Sequence, residues 1–311
     1  MVTQPRLFLL GATCTGKSSV GALVAQKLGG EVISLDSMQV YKGLPILTAQ
    51  PNKEECALVP HHLVDFLDCN TQFDVFSYTE AALHVLKKLD EKGKPALFVG
   101  GTWYYFRALV DGFDDLPAGR EEIRQQIVDE LGDDSHTLHA ELTKLDPLTA
   151  QKIHPNDRKK IIRAIEVCRL TGSPMSSLIG NETKGPVENY LAFSLNLPRE
   201  ELYERINQRV DIMMDKGALD EVRAIFERFG DDDKTVHQAL GVRQLLPFFK
   251  GEKELTECVE QLKGDTRRFA KRQLSFLRRE ERIETLTVGD YENKEALADH
   301  IVSEYEKRCA P

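Results

Sequence analysis

Short apolar runs divide this chain, and the residues between several of them repeat at helical spacing. Residues 6–10 form one such run, ending in a glycine turn. Residues 18–28 follow with apolar positions three and four apart, so strand, loop and helix are predicted in succession. Residues 31–35 and 95–99 are further runs of buried-strand type, ending at Asp36 and at Gly100 and Gly101, with a helix predicted over 77–89 between them. Strands alternating with helices predict an α/β domain built on a parallel sheet, with chemistry where strands give way to loops at their carboxyl ends. From about residue 116 the strand signals stop. Charged helical segments take over at 120–131, 137–145 and 157–170, punctuated by Pro117, Pro147, Pro155 and Pro174. Residues 190–197 alternate like a strand, and a helix-rich final third begins at 200–217. The expected organisation is a discontinuous α/β core, residues 1–115 and 189–311, interrupted by a helical insertion over 116–188.

Composition narrows the class. At 311 residues, with 41% hydrophobic and 29% charged positions, the chain has ordinary globular usage and enough length for one large core with a sub-domain. The longest apolar stretches, 7–10 and 96–99, fall far short of the ~20 residues that span a bilayer, so no membrane segment is expected. The first residues lack a basic segment followed by an apolar stretch, which points to a cytoplasmic location. Cys14, Cys56, Cys69, Cys168, Cys258 and Cys309 form no CxxC pair, so isolated reduced thiols and no structural metal are expected. Acids outnumber bases, 50 to 41, which on net charge alone argues against nonspecific nucleic-acid binding. The bases are clustered, however, at Arg158, Lys159, Lys160, Arg163 and Arg169 and again over 263–282. A solvated helix face is the plain reading of such runs.

The run Gly11, Ala12, Thr13, Cys14, Thr15, Gly16, Lys17, Ser18 fits GxxxxGK[ST] and lies between a predicted strand and a predicted helix, the context that pattern requires. It predicts a P-loop NTPase-like core. Its glycines let backbone N–H groups wrap an anion at a helix N-terminus, Lys17 adds a point charge, and Ser18 would offer its hydroxyl to a Mg²⁺ ion bridging the same phosphates. The motif identifies a phosphate chain and not its owner. No Asn-Lys-x-Asp guanine clamp follows, because Asn52 and Lys53 precede Glu54 and Glu55. Asp36 is the one carboxylate well placed to hold Mg²⁺ or take a proton, with a capping or turn aspartate as the alternative. Beyond it, Gln39 carries an amide able to pair with an adenine edge, and Tyr41 a ring able to stack on a base.

These residues carry a resemblance. The P-loop, residues 36–43 (Asp36-Ser-Met-Gln-Val-Tyr-Lys-Gly43), Pro60 to Leu63, Gly100 to Thr102 with Tyr105, Asn156 to Glu166, Arg209 to Met213, Ala239 to Gly241 and Arg268 to Gln273 recur in this order in bacterial tRNA dimethylallyltransferases. The chain is identified as a member of that family over nearly its whole length.

The resemblance implies transfer of a dimethylallyl group from dimethylallyl diphosphate to N6 of the adenine 3′ of the anticodon in tRNA, with Mg²⁺ and in a monomer. It implies that residues 11–18 and Arg209 hold the diphosphate, and that Asp36 is the base. Thr102 would orient diphosphate or nucleotide, and Lys17 would act in catalysis. It also implies a tRNA surface made by Asp36, Ser37, Met38, Gln39 and Thr102 around the extruded adenine. Arg124, Lys159, Lys160, Ile161, Ile162 and Arg163 would lie on the anticodon stem-loop, with bases over 267–279 following phosphates. The sequence departs from the family at Ala12, Cys14 and Thr15 inside the loop. It departs further at Trp103 and Tyr104, where the family has Gly-Leu, and at Leu47, where it has glycine. An indole near the channel would change how RNA or isoprenoid passes, so donor length and nucleotide fit are left open. Two rivals stand beside this reading: prenylation of free adenine nucleotide, which needs no basic insertion, and a P-loop kinase, which leaves Gln39 and the basic C-terminal segment without a purpose.

Overall fold

A computed structural model describes residues 4–114, 116–180, 184–230 and 235–310. The chain divides into two compact units, one of Met1–Phe106 with Val187–Pro311 and one of Arg107–Pro186. The second unit therefore opens before the expected insertion start at 116 and closes beside its expected end at 188.

In the first unit β1 (Arg6–Gly11) leads into α1 (Lys17–Lys27), then β2 (Glu31–Leu35), α2 (Lys53–Leu58), β3 (His61–His62), α3 (Val75–Glu91), β4 (Ala96–Gly100) and the opening of α4 (Trp103–Val110). The second unit contains α5 (Glu121–Leu131), α6 (Ser135–Leu145), α7 (Pro147–Lys152) and α8 (Arg158–Thr171). The chain returns as β5 (Tyr190–Asn196), α9 (Arg199–Asp215), α10 (Ala218–Phe229), α11 (Val242–Phe249), α12 (Leu255–Leu277), β6 (Glu284–Thr287) and α13 (Lys294–Cys309).

The strands form one parallel sheet in the order β3-β2-β4-β1-β5-β6. Central strands covered on both faces favour apolar residues, which is why β1, β2 and β4 read as near-continuous runs, with buried Glu31 and Ser34 the polar positions of β2. On one face Leu7, Leu9, Leu97, Val99, Phe193 and Leu195 pack with Val20 and Val24 of α1 and Leu297 and Ile301 of α13. On the other, Phe8 stacks on Phe98 at 4.6 Å and meets Phe106 edge-on at 5.1 Å. Each such side chain contributes about 1.5–3 kcal/mol on full burial. The edge strands escaped the sequence pattern because β3 is two histidines and β6 is the polar sequence ETLT. A second core lies beneath residues 40–47, where Val40, Tyr41, Leu44 and Leu47 pack on α9 to α12.

The register fixes where the site lies. Leu10 of β1 and Leu35 of β2 both pair with Gly100 of β4, so the P-loop, Asp36 and Thr102 leave the sheet at one edge. Gly100 has no room for a side chain, because a Cβ there would run into the backbone of Leu35. Among the described residues no helix is long and apolar enough to cross a membrane.

The second unit has its own core of Ile127, Leu138, Leu142, Ile161 and Ile165. Two fully buried carboxylates tie it together. Asp146 accepts from the backbone N–H and hydroxyl of both Thr149 and Ser176, at 2.6–3.0 Å. Burial alone would raise its pKa, but these four bonds outweigh that and hold it below the usual carboxylate range. Glu166 accepts from the Arg120 N–H at 2.5 Å, Arg163 Nη1 at 2.7 Å and Arg124 Nε at 3.2 Å, and is likewise held low against its burial.

Candidate active site

The loop between β1 and α1 is shaped by its backbone. Gly16 caps α1 with a left-handed φ of 88°, which favours glycine, and Cys14 occupies the same region at 65°. The side chains of Ala12 and Thr15 are buried, and the Thr15 N–H donates to the Ala12 carbonyl at 3.4 Å. The Thr15 hydroxyl donates to the Ala12 carbonyl at 2.9 Å, and Lys17 Nζ donates to the same oxygen at 3.2 Å. Burial pushes the Lys17 pKa down; the Asp36 carboxylate opposes that shift and the Arg209 guanidinium adds to it. Arg209, on α9, donates through Nη1 to Thr13 Oγ1 at 2.9 Å and Cys14 Sγ at 3.6 Å, so it faces the loop from the opposite side.

Asp36 follows β2. Its Oδ1 accepts from the N–H of Met38 at 2.9 Å and of Gln39 at 3.4 Å, so the residue does cap its own turn. Its Oδ2 accepts no hydrogen bond among the described residues. The Thr102 hydroxyl accepts from the Ser37 N–H at 3.1 Å, joining the two strand ends. Behind them Tyr105 stacks on Tyr78 at 3.7 Å. Burial raises both phenol pKa values, and the charge on Asp36 raises them further, which keeps both rings neutral beside the carboxylate.

These groups border one cavity of about 310 Å³, whose wall includes Lys17, Ser18, Asp36, Thr102, Arg209 and Gln273. A second opening of about 320 Å³ lies on the outer side of the loop, lined by Cys14, Gly16 and Arg205, and Lys17, Ser18 and Arg209 border both. The loop between β1 and α1 is thus reached from two directions, with Asp36 bordering the inner cavity.

Several expected site residues are placed otherwise. Ser37, Met38 and Gln39 border the cavity, yet the Gln39 amide is already engaged: Oε1 accepts from the Ser34 hydroxyl at 2.8 Å, and Nε2 donates to the Ala49 carbonyl at 2.8 Å. It braces residues 48–49 and offers no free edge to adenine. Ile161 and Ile162 lie in the core of the second unit, so their side chains face away from any RNA. Arg163 is held by Glu166 and the Pro117 carbonyl, Arg124 by Glu166 and Glu121, and Lys160 by Asp157. Lys159 is exposed and makes no ion pair among the described residues. His62 is bonded to the buried Glu31 at 2.7 Å, while His61 lines the cavity and bonds the Val59 carbonyl.

Two positioning residues escaped the sequence reading. Gln273 of α12 accepts from the Thr13 N–H at 3.0 Å and donates to the Gly101 carbonyl at 2.9 Å, clamping the P-loop to the loop after β4. A side chain at Gly101 would collide with it. Glu221 of α10 accepts from the N–H groups of Ile46 and Leu47 at 2.8 and 3.0 Å, fixing the cavity wall on which Leu47 lies. Gln273 closes the Arg268 to Gln273 motif, but its clamping role was not visible in the sequence, because its partners lie 172 and 260 residues away.

A divalent ion fits this donor set in a limited way. Ser18 supplies a hydroxyl and Asp36 a carboxylate oxygen on the same wall, which suits Mg²⁺, an ion that takes its remaining ligands from phosphates and water. Among the described residues no cluster of three or more His, Cys, Asp and Glu side chains could hold a metal unaided.

The IPP transferase family model matches residues 39–280, and an isopentenyl transferase model matches residues 6–69. The tRNA dimethylallyltransferase of Pelotomaculum thermopropionicum is 39% identical, with 96% of this chain and 95% of the relative covered. That of Carboxydothermus hydrogenoformans is 40% identical, with 97% and 98% covered. Among solved structures, the full-length tRNA isopentenylpyrophosphate transferase of Bacillus halodurans superposes with a TM-score of 0.73 at 33% identity, covering 99% of this chain and 98% of that one. A eukaryotic dimethylallyltransferase captured acting on tRNA gives a TM-score of 0.84 at 26% identity, covering 99% and 81%.

Proposed function

The chain belongs to the IPP transferase family, whose members transfer prenyl groups, and from that premise we propose that it moves a dimethylallyl group from dimethylallyl diphosphate to N6 of the adenine 3′ of the anticodon in tRNA. The observation that carries the reading is the joint placement of Lys17, Arg209 and the free Asp36 oxygen on one cavity wall.

In this mechanism the diphosphate lies in the cradle of main-chain N–H groups at the start of α1. Lys17 and Arg209 balance the charge that gathers on it as the allylic C–O bond breaks and the electron pair leaves with oxygen. The adenine, out of its stack, enters the inner cavity. Its N6 lone pair forms the new bond to carbon, and its acidified N6 proton passes to Asp36 Oδ2. Asp36 is pre-aimed for this, because its other oxygen is tied to the turn. Thr102 keeps the Asp36 turn in register with β4, and the neutral Tyr78–Tyr105 pair excludes water behind it. Ser18 would hold Mg²⁺ with oxygens of the diphosphate and water, and the ion would supply further charge neutralisation there, leaving Asp36 Oδ2 to the proton. We place the reaction in the cytoplasm, with one copy of the chain acting alone on one tRNA.

The test is acceptor choice. Incubation with labelled dimethylallyl diphosphate, Mg²⁺ and unmodified tRNA is expected to label the tRNA. Label in AMP instead, or phosphoryl transfer from ATP to a small acceptor, contradicts the reading. Lys17→Ala is expected to lower diphosphate affinity and turnover together.

A further inference from the structure

Outside the cavity, an aromatic strip without a role in this mechanism begins at its rim. Thr102, Phe269 and Arg272 border the cavity, and Trp103 and Phe276 continue outward from them on α4 and α12. The Trp103 and Phe276 rings are parallel within 9°, with centroids 6.3 Å apart. Trp103 is anchored from behind by Phe106, at 5.4 Å, which is buried against the sheet. Phe276 is 47% exposed, and Tyr104, next to Trp103, is 59% exposed.

The charge around the strip says what covers it. Residues 266–279 contain no Asp or Glu. Lys271, Arg272, Arg278 and Arg279 are all exposed and make no ion pair among the described residues. Arg272 lies over the Phe269 ring at 5.8 Å. Flat apolar faces set among unneutralised cations match a ligand that is itself flat, apolar on its face and anionic at its edge. An unpaired nucleotide has that chemistry. An acidic peptide would meet the cations and leave the rings uncovered.

We propose that Trp103 and Phe276 form a stacking platform for an unpaired base of the RNA loop beside the adenine that enters the cavity. Lys271, Arg272, Arg278 and Arg279 would hold the phosphates on either side. This rests on the tRNA reading above and deepens it: extruding one base strips its neighbour of a stacking partner, and the platform replaces that partner next to the rim.

Trp103 is the only tryptophan in the sequence, so its emission reports this spot directly. The experiment titrates the full chain with a short hairpin carrying an unmodified anticodon loop, following emission and, separately, filter retention of labelled RNA. Saturable quenching is expected at the affinity that retention gives. Phe276→Ala is expected to weaken RNA binding roughly tenfold while diphosphate affinity and the thermal midpoint stay put, and Phe276→Tyr to restore binding to within about twofold. Emission unmoved by bound RNA, with unchanged affinity in Phe276→Ala, overturns the platform alone. Failure of the wild-type chain to retain the hairpin overturns the platform and the tRNA reading together.

Discussion

Two helices of this protein carry dense runs of lysine and arginine, α8 in the second unit and the C-terminal half of α12 in the first, and they use them differently. On α8 four of the five cations are neutralised, Lys159 being the exception: Arg158 pairs with Asp133, Lys160 with Asp157, Arg163 with Glu166 and Arg169 with Glu130. At the end of α12 and just beyond it, Arg268 pairs with Asp265, but Lys271, Arg272, Arg278 and Arg279 have no carboxylate partner among the described residues, and exposed Phe276 lies among them in sequence. Basic residues in a sequence are therefore not interchangeable. Where acids answer them in the fold, they hold a unit together; where none do, they are available to phosphate.

The largest effect that sharpens this contrast is on stability. Glu166→Ala strands Arg124, Arg163 and the Arg120 N–H around a buried site, and is expected to cost about 3 kcal/mol or more in urea unfolding. Arg278→Ala is expected to stay within about 0.5 kcal/mol of the parent. Comparable losses from the two would erase the distinction.

Next is RNA affinity. Reversing both Arg278 and Arg279 to Glu is expected to weaken tRNA binding more than tenfold at moderate salt and to reduce the salt slope by about 2. Lys160→Glu is expected to act much less, because Asp157 already neutralises that lysine at 2.6 Å. Equal effects from α8 and α12 in a filter-binding salt series would break the comparison.

The smallest effect appears with pH. Glu166 and Asp146 have folded-state pKa values below their ordinary 4.5 and 3.8, so the stability they contribute is fully present above those values. It is lost as pH falls through the lowered folded values. Thermal midpoints of the second unit should thus hold from pH 7 to about 5 and drop in stronger acid.

Much of this was legible in the sequence, for reasons that can be given residue by residue. The strands β1, β2 and β4 are buried on both faces and are mostly apolar, so their runs stood out, and the P-loop pattern fell at the junction of the first of them with α1. The edge strand β6 carries glutamate and threonine because one side lacks a partner strand, and nothing in such a sequence distinguishes it from a loop. At the site, residue types were visible and their engagements were not. Gln39 has the right amide for adenine, but Ser34 and Ala49 already use it. Gln273 clamps the cradle through partners supplied by the first third of the chain. Whether an arginine is free depends on carboxylates such as Glu166, 42 positions from Arg124, that only the fold brings near.

The central claim is that Asp36 takes the proton from an adenine facing a diphosphate held by the P-loop. Single-turnover transfer of labelled dimethylallyl to tRNA by Asp36→Asn tests it most directly, since asparagine keeps the acceptor for the Met38 N–H and removes only the base. The rate is expected to fall at least about a hundredfold, with tRNA and diphosphate affinities within a few fold of the parent. A rate equal to that of the parent chain, with both substrates bound, would contradict the account.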